Sequence, residues 1–288
     1  QREFFHFIYQ SATSWSQFMS LTFRILGCGS SGGVPRLDGS WGECDPNQPK
    51  NHRTRCSLLV QQAGEGGQTS VLIDTSPDMR AQLIAAETTW LDAILYSHDH
   101  ADQTHGIDDV RAMVYARRKQ IGVWMDQATA DTLTTRFDYC FHQGEGSLYP
   151  AILKDNRIST PYQPLTIGGE GGDIVATPFR QIHGSIDSLG FRVGDVAYSS
   201  DISDLPEESF AALEGLDCWI VDALRREPHP THFHLDKTLE LIETLKPKHA
   251  VLTNLHIDLD YETLCNELPE HVIPAYDGMI VSSKGVVE

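Results

Sequence analysis

At 288 residues, with 40% hydrophobic and 22% charged positions, the chain has the composition of an ordinary globular enzyme and ample length for a core. Its 40 acidic residues against 22 basic ones give a formal charge of −18, a field that makes long nucleic acid a poor partner unless a local basic patch reverses it. Six cysteines without a C-x-x-C pair exclude a zinc knuckle and give no sign of a disulfide framework, and no apolar run approaches the ~20 residues of a membrane span.

Residues 1–20 precede the first convincing strand and read as an N-terminal extension to a body spanning 21–288. Phe4, Phe5, Phe7, Ile8 and Tyr9 form an apolar block that needs covering. The segment lacks a basic region, a sustained apolar core and a small-residue cleavage site, so it is not read as a signal peptide, and a cytoplasmic location is expected. A strand at 21–26 leads into Gly27-Cys28-Gly29-Ser30-Ser31-Gly32-Gly33. The G-x-G-x-x-G match is not a dinucleotide fingerprint, because Val34-Pro35 continues as loop where that motif needs a helix. The loop 39–55 carries Lys50, His52, Arg53 and Arg55, which form either a solvated connection or a set that meets a substrate phosphate.

Strands are predicted at 56–61 and 69–74 around a Gly64–Gly67 turn, and a helix follows to about Ala86 with Ser76 as N-cap and Pro77 first. Asp74 at the strand end is a candidate partner for a ligand histidine. After a helical patch at 108–118 come a strand at 121–125 and a helix at 127–137 capped by Asp126. The aromatic segment 141–158 reads as a lid. Short strands are expected at 165–167, 173–176, 190–193 and 196–198, then a strand at 218–222, a helix at 234–245, a strand at 250–253 and a helix at 261–268. No low-complexity linker divides the chain.

Residues 97–106, Ser-His-Asp-His-Ala-Asp-Gln-Thr-His-Gly, follow the apolar run Ala93–Tyr96 and concentrate imidazoles and carboxylates at a strand end. That donor set suits zinc, manganese or iron. His98 and His100, two apart, point to one side of an extended segment. Further histidines, His183, His232, His234 and His256, follow or interrupt other apolar runs.

The stretch resembles the H-x-H-x-D-H signature of the metallo-β-lactamase superfamily. Leu72-Ile73-Asp74, Gln181-Ile182-His183, Tyr198-Ser199-Ser200-Asp201 and Leu252-Thr253-Asn254-Leu255-His256 occur in that family's order. The resemblance implies an α/β fold, a four-layer αββα metallo-β-lactamase sandwich, with two divalent metal ions, zinc or manganese, in its site. By this resemblance His98, His100 and His183 bind the first ion, and Asp102 and Asp201 the second, Asp201 bridging. Two family histidines are replaced, by Gln103 and Asn254. Each amide is followed two residues on by a histidine, so His256 is expected as a replacement ligand and His105 as a further candidate, on the premise that both segments are extended. Otherwise the second site is weak. Some relatives carry a structural zinc on several cysteines in the 39–55 loop; only Cys44 is present here, and that zinc is expected to be absent.

His232 matches a histidine that phosphodiesterase relatives place near the leaving group, where it donates a proton. With Asp102 and Asp201 it makes the expected catalytic set, and Gln103, His105 and Asn254 are expected near substrate. His234 reads as a helix-start residue. The resemblance favours the phosphodiesterases that open phosphoribosyl 1,2-cyclic phosphates, and hence a small nucleotide-like or sugar phosphodiester as substrate. The alternatives are a tRNA 3′-end endonuclease, for which no basic arm is found, and a non-enzymatic carrier as in quinone-cofactor biosynthesis. A homodimer is one assembly the chain allows.

Overall fold

The structure, a computed structural model, describes residues 20–282 and 285–287. The aromatic block at 4–9 lies outside the described residues, as does most of the proposed extension. Two sheets form. In spatial order the first runs Gly285–Val287, Ile280–Ser282, Ser20–Gly27, Ser57–Gly64, Gly67–Ile73, Ala93–Leu95, Ile121–Met125 and Leu153–Arg157. The second runs Val272–Pro274, His249–Thr253, Cys218–Asp222, Val196–Ser199, Ile186–Val193, Ile174–His183 and Leu165–Ile167.

Side-chain alternation explains the layering. Leu58, Val60, Val71, Ile73, Ala93 and Leu95 point inward and pack with Phe191, Tyr198, Ile220 and Val251 of the other sheet. Leu59, Leu72 and Ile94, one residue out of phase, point to the outer face against Met79, Leu83, Val114 and Leu133 of the covering helices. Trp219, Val221, Ala250 and Leu252 do the same on the second sheet against Leu241, Ile242 and Leu264. Strands apolar on both faces belong in a sheet covered on both sides, and the αββα sandwich follows. Phe191, 1% exposed, sits where both inner faces meet, so Phe191→Ala is expected to lower stability by about 3–5 kcal/mol, read from denaturant unfolding.

The pairing also places the chemistry. Gly67–Ile73, Ala93–Leu95 and Ile121–Met125 run parallel, as do Val196–Ser199, Cys218–Asp222 and His249–Thr253. Side-by-side parallel strands release their next residues at one sheet edge, the usual location of an α/β site. Asp74 and His98 emerge from one sheet, and Asp201, Asp222 and Asn254 from the other. The Leu189 amide donates to the Ser97 carbonyl across the gap, at 2.9 Å.

Local readings differ in places. The first helix runs Met79–Ala85 with Asp78 at its N-cap, not Ser76. The Ser76 hydroxyl accepts from the Asp78 amide and donates to Gln82 Oε1, closing a turn ahead of the helix instead. The strand expected at 173–176 continues to His183, through Pro178 and several polar residues that hide its pattern. Segment 141–158 is no lid over the histidines: Leu153–Arg157 is a strand, and Gln143, Leu148, Tyr149 and Pro150 line a separate cavity with Val114 and Arg118. Asp126 does cap its helix, accepting from the Thr129 amide at 2.8 Å. Among the described residues no helix is long and apolar enough to cross a membrane.

Candidate metal centre and its cavity

The Gly-rich loop is held close beneath the site. A Cβ at Gly27 would stand 2.2 Å from the Arg55 carbonyl oxygen, and Gly33 has φ of 64°, so neither position accepts a larger residue without displacement. Asp277 fastens this loop, accepting from the Cys28 amide and from both the amide and the hydroxyl of Thr54.

His98 is 1% exposed, and its Nδ1 lies 2.9 Å from Ser97 Oγ. The Ser97 hydroxyl donates to Asp74 Oδ2 at 2.8 Å, so its remaining lone pair accepts the His98 Nδ1 proton. Asp74 Oδ1 takes the Ser97 amide at 2.8 Å, and Asp74 itself sits at φ of 63°, an uncommon backbone state for a residue with a side chain. Asp74 thus bears on His98 through Ser97. The result is an unprotonated His98 Nε2, buried and without a hydrogen-bond partner. Burial holds this imidazole far below its ordinary range, at about 3, and therefore neutral.

His183 reaches the same point from the second sheet. Its Nδ1 donates to the Thr231 carbonyl at 2.6 Å, which leaves Nε2 with its lone pair 3.2 Å from His100 Nδ1. The donor atoms of His98, His100 and His183 all lie within 4.8 Å of one another. Imidazole nitrogens converging from three histidines, with His98 Nε2 left without a partner, are the donor set that a divalent cation satisfies. Ser97→Ala should remove the acceptor that fixes the His98 tautomer and weaken metal affinity by ~10–100-fold, measured by competition with a chelator.

Asp201, 3% exposed, accepts from Gln103 Nε2 at 3.0 Å through Oδ2, and its Oδ1 stands 3.9 Å from His232 Nδ1. Burial alone would raise Asp201, but His98, His232 and His183 outweigh it and hold the carboxyl below its usual range. Asp102 lies in the first turn of the short helix Ala101–Thr104 and lines the cavity. Burial, then the neighbouring Asp201, pushes it up to about 6. A second group, His183, Asp201 and His232, also converges within 4.8 Å.

His232 Nδ1 donates to Asp222 Oδ2 at 2.7 Å. Asp222 is fully buried, and sequence reasoning did not single it out; its position as the carboxylate ending an apolar strand, like Asp74, was the available signal. Burial pushes Asp222 up to about 7. Burial would also lower His232, but the Asp222 carboxylate, with Asp201 and Asp102 beyond it, overrides that and holds the imidazole at about 9. The proton of this pair belongs to His232. Asn254 closes the group, its Nδ2 donating to the Ser200 carbonyl at 2.8 Å and lying 3.2 Å from His232 Nδ1.

The two replacement histidines are corrected by the backbone. Asn254 adopts φ of 61°, so the chain turns immediately after the strand His249–Thr253 and the two-residue face rule fails. His256 instead donates from Nδ1 to Asp258 at 2.7 Å and sets Nε2 against Arg36. His105 follows a helical turn rather than an extended segment, and is exposed with its ring against Phe137. Neither joins a ligand group among the described residues. His234 is the N-cap of the helix Leu235–Leu245, as expected, although its side chain makes no capping bond.

The centre opens into a cavity of about 980 Å³ whose wall includes Arg36, Arg55, Arg225, His229, His232 and Asp102. Of the basic loop set only Arg55 faces it. Lys50 lies over the rings of Tyr261 and Tyr276, His52 meets Trp41, and Arg53 is buried, bonded to the His256 carbonyl and Asn51. Arg36 and Arg225 escaped the sequence reading because nothing local distinguishes them from solvated arginines.

A crystal structure of a diphosphatase from the PhnP family is 33% identical, superposes with a TM-score of 0.81, and is matched over 92% of this chain and 97% of its own. An octanoyltransferase of Porphyromonas gingivalis is 32% identical over 270 residues, 91% of this chain but 52% of that protein, so the chain spans about half of that relative's length. Coenzyme PQQ synthesis protein B of Methylococcus capsulatus is 25% identical over 317 residues, covering 90% of this chain and 99% of its own. The beta-lactamase superfamily domain matches residues 69–257, which hold every histidine and carboxylate of the centre, and the chain belongs to that superfamily, with its metallo-β-lactamase sandwich.

Proposed function

We propose that the chain is a metal-dependent phosphodiesterase that hydrolyses a small nucleotide-like or sugar phosphodiester, cyclic esters included, to a monophosphate. The observation that carries this reading is the Asp222–His232 pair, a proton-bearing imidazole held by a buried carboxylate beside the three converging histidines. A divalent ion on His98, His100 and His183 supplies Lewis acidity and an activated water. Arg55, Arg36 and Arg225 offset the charge of a phosphate-bearing substrate entering the cavity. As water adds to phosphorus and the ester P–O bond breaks, His232 gives its proton to the departing oxygen, and Asp222 keeps the ring in place. The likeness to a PhnP-family diphosphatase supports phosphate chemistry for this chain.

A tRNA 3′-end endonuclease is less well supported, since the chain carries −18 overall. The test is a panel of a ribose 1,2-cyclic phosphate, a nucleoside diphosphate, a nitrophenyl diester and a tRNA precursor, assayed with zinc and with manganese. Preferred turnover of the cyclic sugar ester is expected. Turnover of the tRNA precursor alone would establish the endonuclease reading, and turnover of none would favour a carrier.

A further inference from the structure

We infer that this centre takes one divalent ion, and that Gln103 and Asn254, as hydrogen-bonding amides, occupy the place where a second ion would find ligands. The inference rests on the metal-dependent reading above and concerns the ion count alone.

The two converging groups share His183. Its Nδ1 is committed to the Thr231 carbonyl, so the ring offers one lone pair, on Nε2, and one lone pair serves one cation. His232 in the second group is likewise committed through Nδ1 to Asp222. The groups therefore describe one ion position and its border, not two positions.

Around Asp201 the chain has already supplied positive ends of its own. Gln103 is fully buried and points its amide hydrogens at Asp201 Oδ2. Turning that amide over would set Oε1 against the carboxylate. Asn254 points its amide at the Ser200 carbonyl. His256, the nearest spare imidazole in sequence, has Asp258 on one nitrogen and Arg36 on the other. A second ion would find Asp102, a shared oxygen of Asp201 and at most the Nε2 of His232, short of the four donors zinc usually takes.

Native mass spectrometry of the chain loaded with excess zinc or manganese, then desalted, reads the count. Electron paramagnetic resonance of the manganese form reads whether two ions are magnetically coupled. The wild-type chain should hold one ion and give an uncoupled manganese spectrum, whereas the double variant Gln103→His, Asn254→His should gain a second ion and a coupled spectrum. Two ions or coupling in the wild-type chain would overturn the inference and leave the metal-dependent reading intact; no ion at all would overturn both. A double variant that is folded by circular dichroism yet still holds one ion would overturn the role given to the two amides. The wild-type count stands as a test even if that variant does not fold.

Discussion

Replacing His183 by alanine is expected to abolish tight metal binding and, with it, turnover. His183 is the ligand brought by the second sheet, and without it His98 and His100 remain as two imidazoles at one strand end. The loss should exceed the ~10–100-fold that removing a supporting hydrogen bond such as Ser97's costs, because a donor atom itself disappears. Isothermal titration with zinc measures it. His105→Ala is the matched control: that imidazole is exposed and outside the ligand groups, so affinity should be unchanged. An unaltered affinity in His183→Ala would mean that the ion sits elsewhere. Circular dichroism of both variants separates loss of a ligand from loss of the fold.

His232→Ala should have the second large effect, and its dependence on the leaving group is the diagnostic part. Removing a positioned proton donor typically costs ~10²–10⁴-fold when the departing oxygen is a poor leaving group, as in a sugar ester. A nitrophenyl ester departs without the proton, and its rate should fall far less. Equal losses on both would leave His232 as a binding residue only. The pH dependence follows from the same geometry. The Asp222 carboxylate raises His232, so the proton is present at neutral pH and is lost as the pH climbs through the raised value of about 9. Activity on the sugar ester should therefore decline on the alkaline side. Asp222→Asn removes the charge that favours the imidazolium, so this decline should move to lower pH, a shift that mere loss of packing would not produce.

Much of the fold was legible because the inner strands are apolar on both faces. Ala93–Tyr96, Cys218–Val221 and Ala250–Leu252 announce buried parallel strands, and the polar residue that follows each marks the sheet edge. The edge strand Leu153–Arg157 of the first sheet was not legible: it reads Leu-Lys-Asp-Asn-Arg, and only its register with Ile121–Met125 makes it a strand. The site divides the same way. His98, His100, His183 and Asp201 were readable by type and position, and the structure brings them together. His256 was misplaced because one residue, Asn254, takes a left-handed conformation that sequence does not reveal. Asp222 and Arg36 matter through partners that only the fold sets beside them, Asp222 through His232 and Arg36 through His256. Such contacts depend on tertiary geometry rather than on local pattern.

The central claim is hydrolysis of a small phosphodiester by a metal-loaded centre. Phosphorus NMR of a ribose cyclic phosphate incubated with the loaded chain in ¹⁸O-labelled water tests it in one measurement. A monophosphate carrying ¹⁸O from solvent, formed with zinc or manganese and absent after chelation, is the predicted result. Unchanged cyclic phosphate in the presence of a fully loaded chain, or an equal rate with the metal removed, would contradict it.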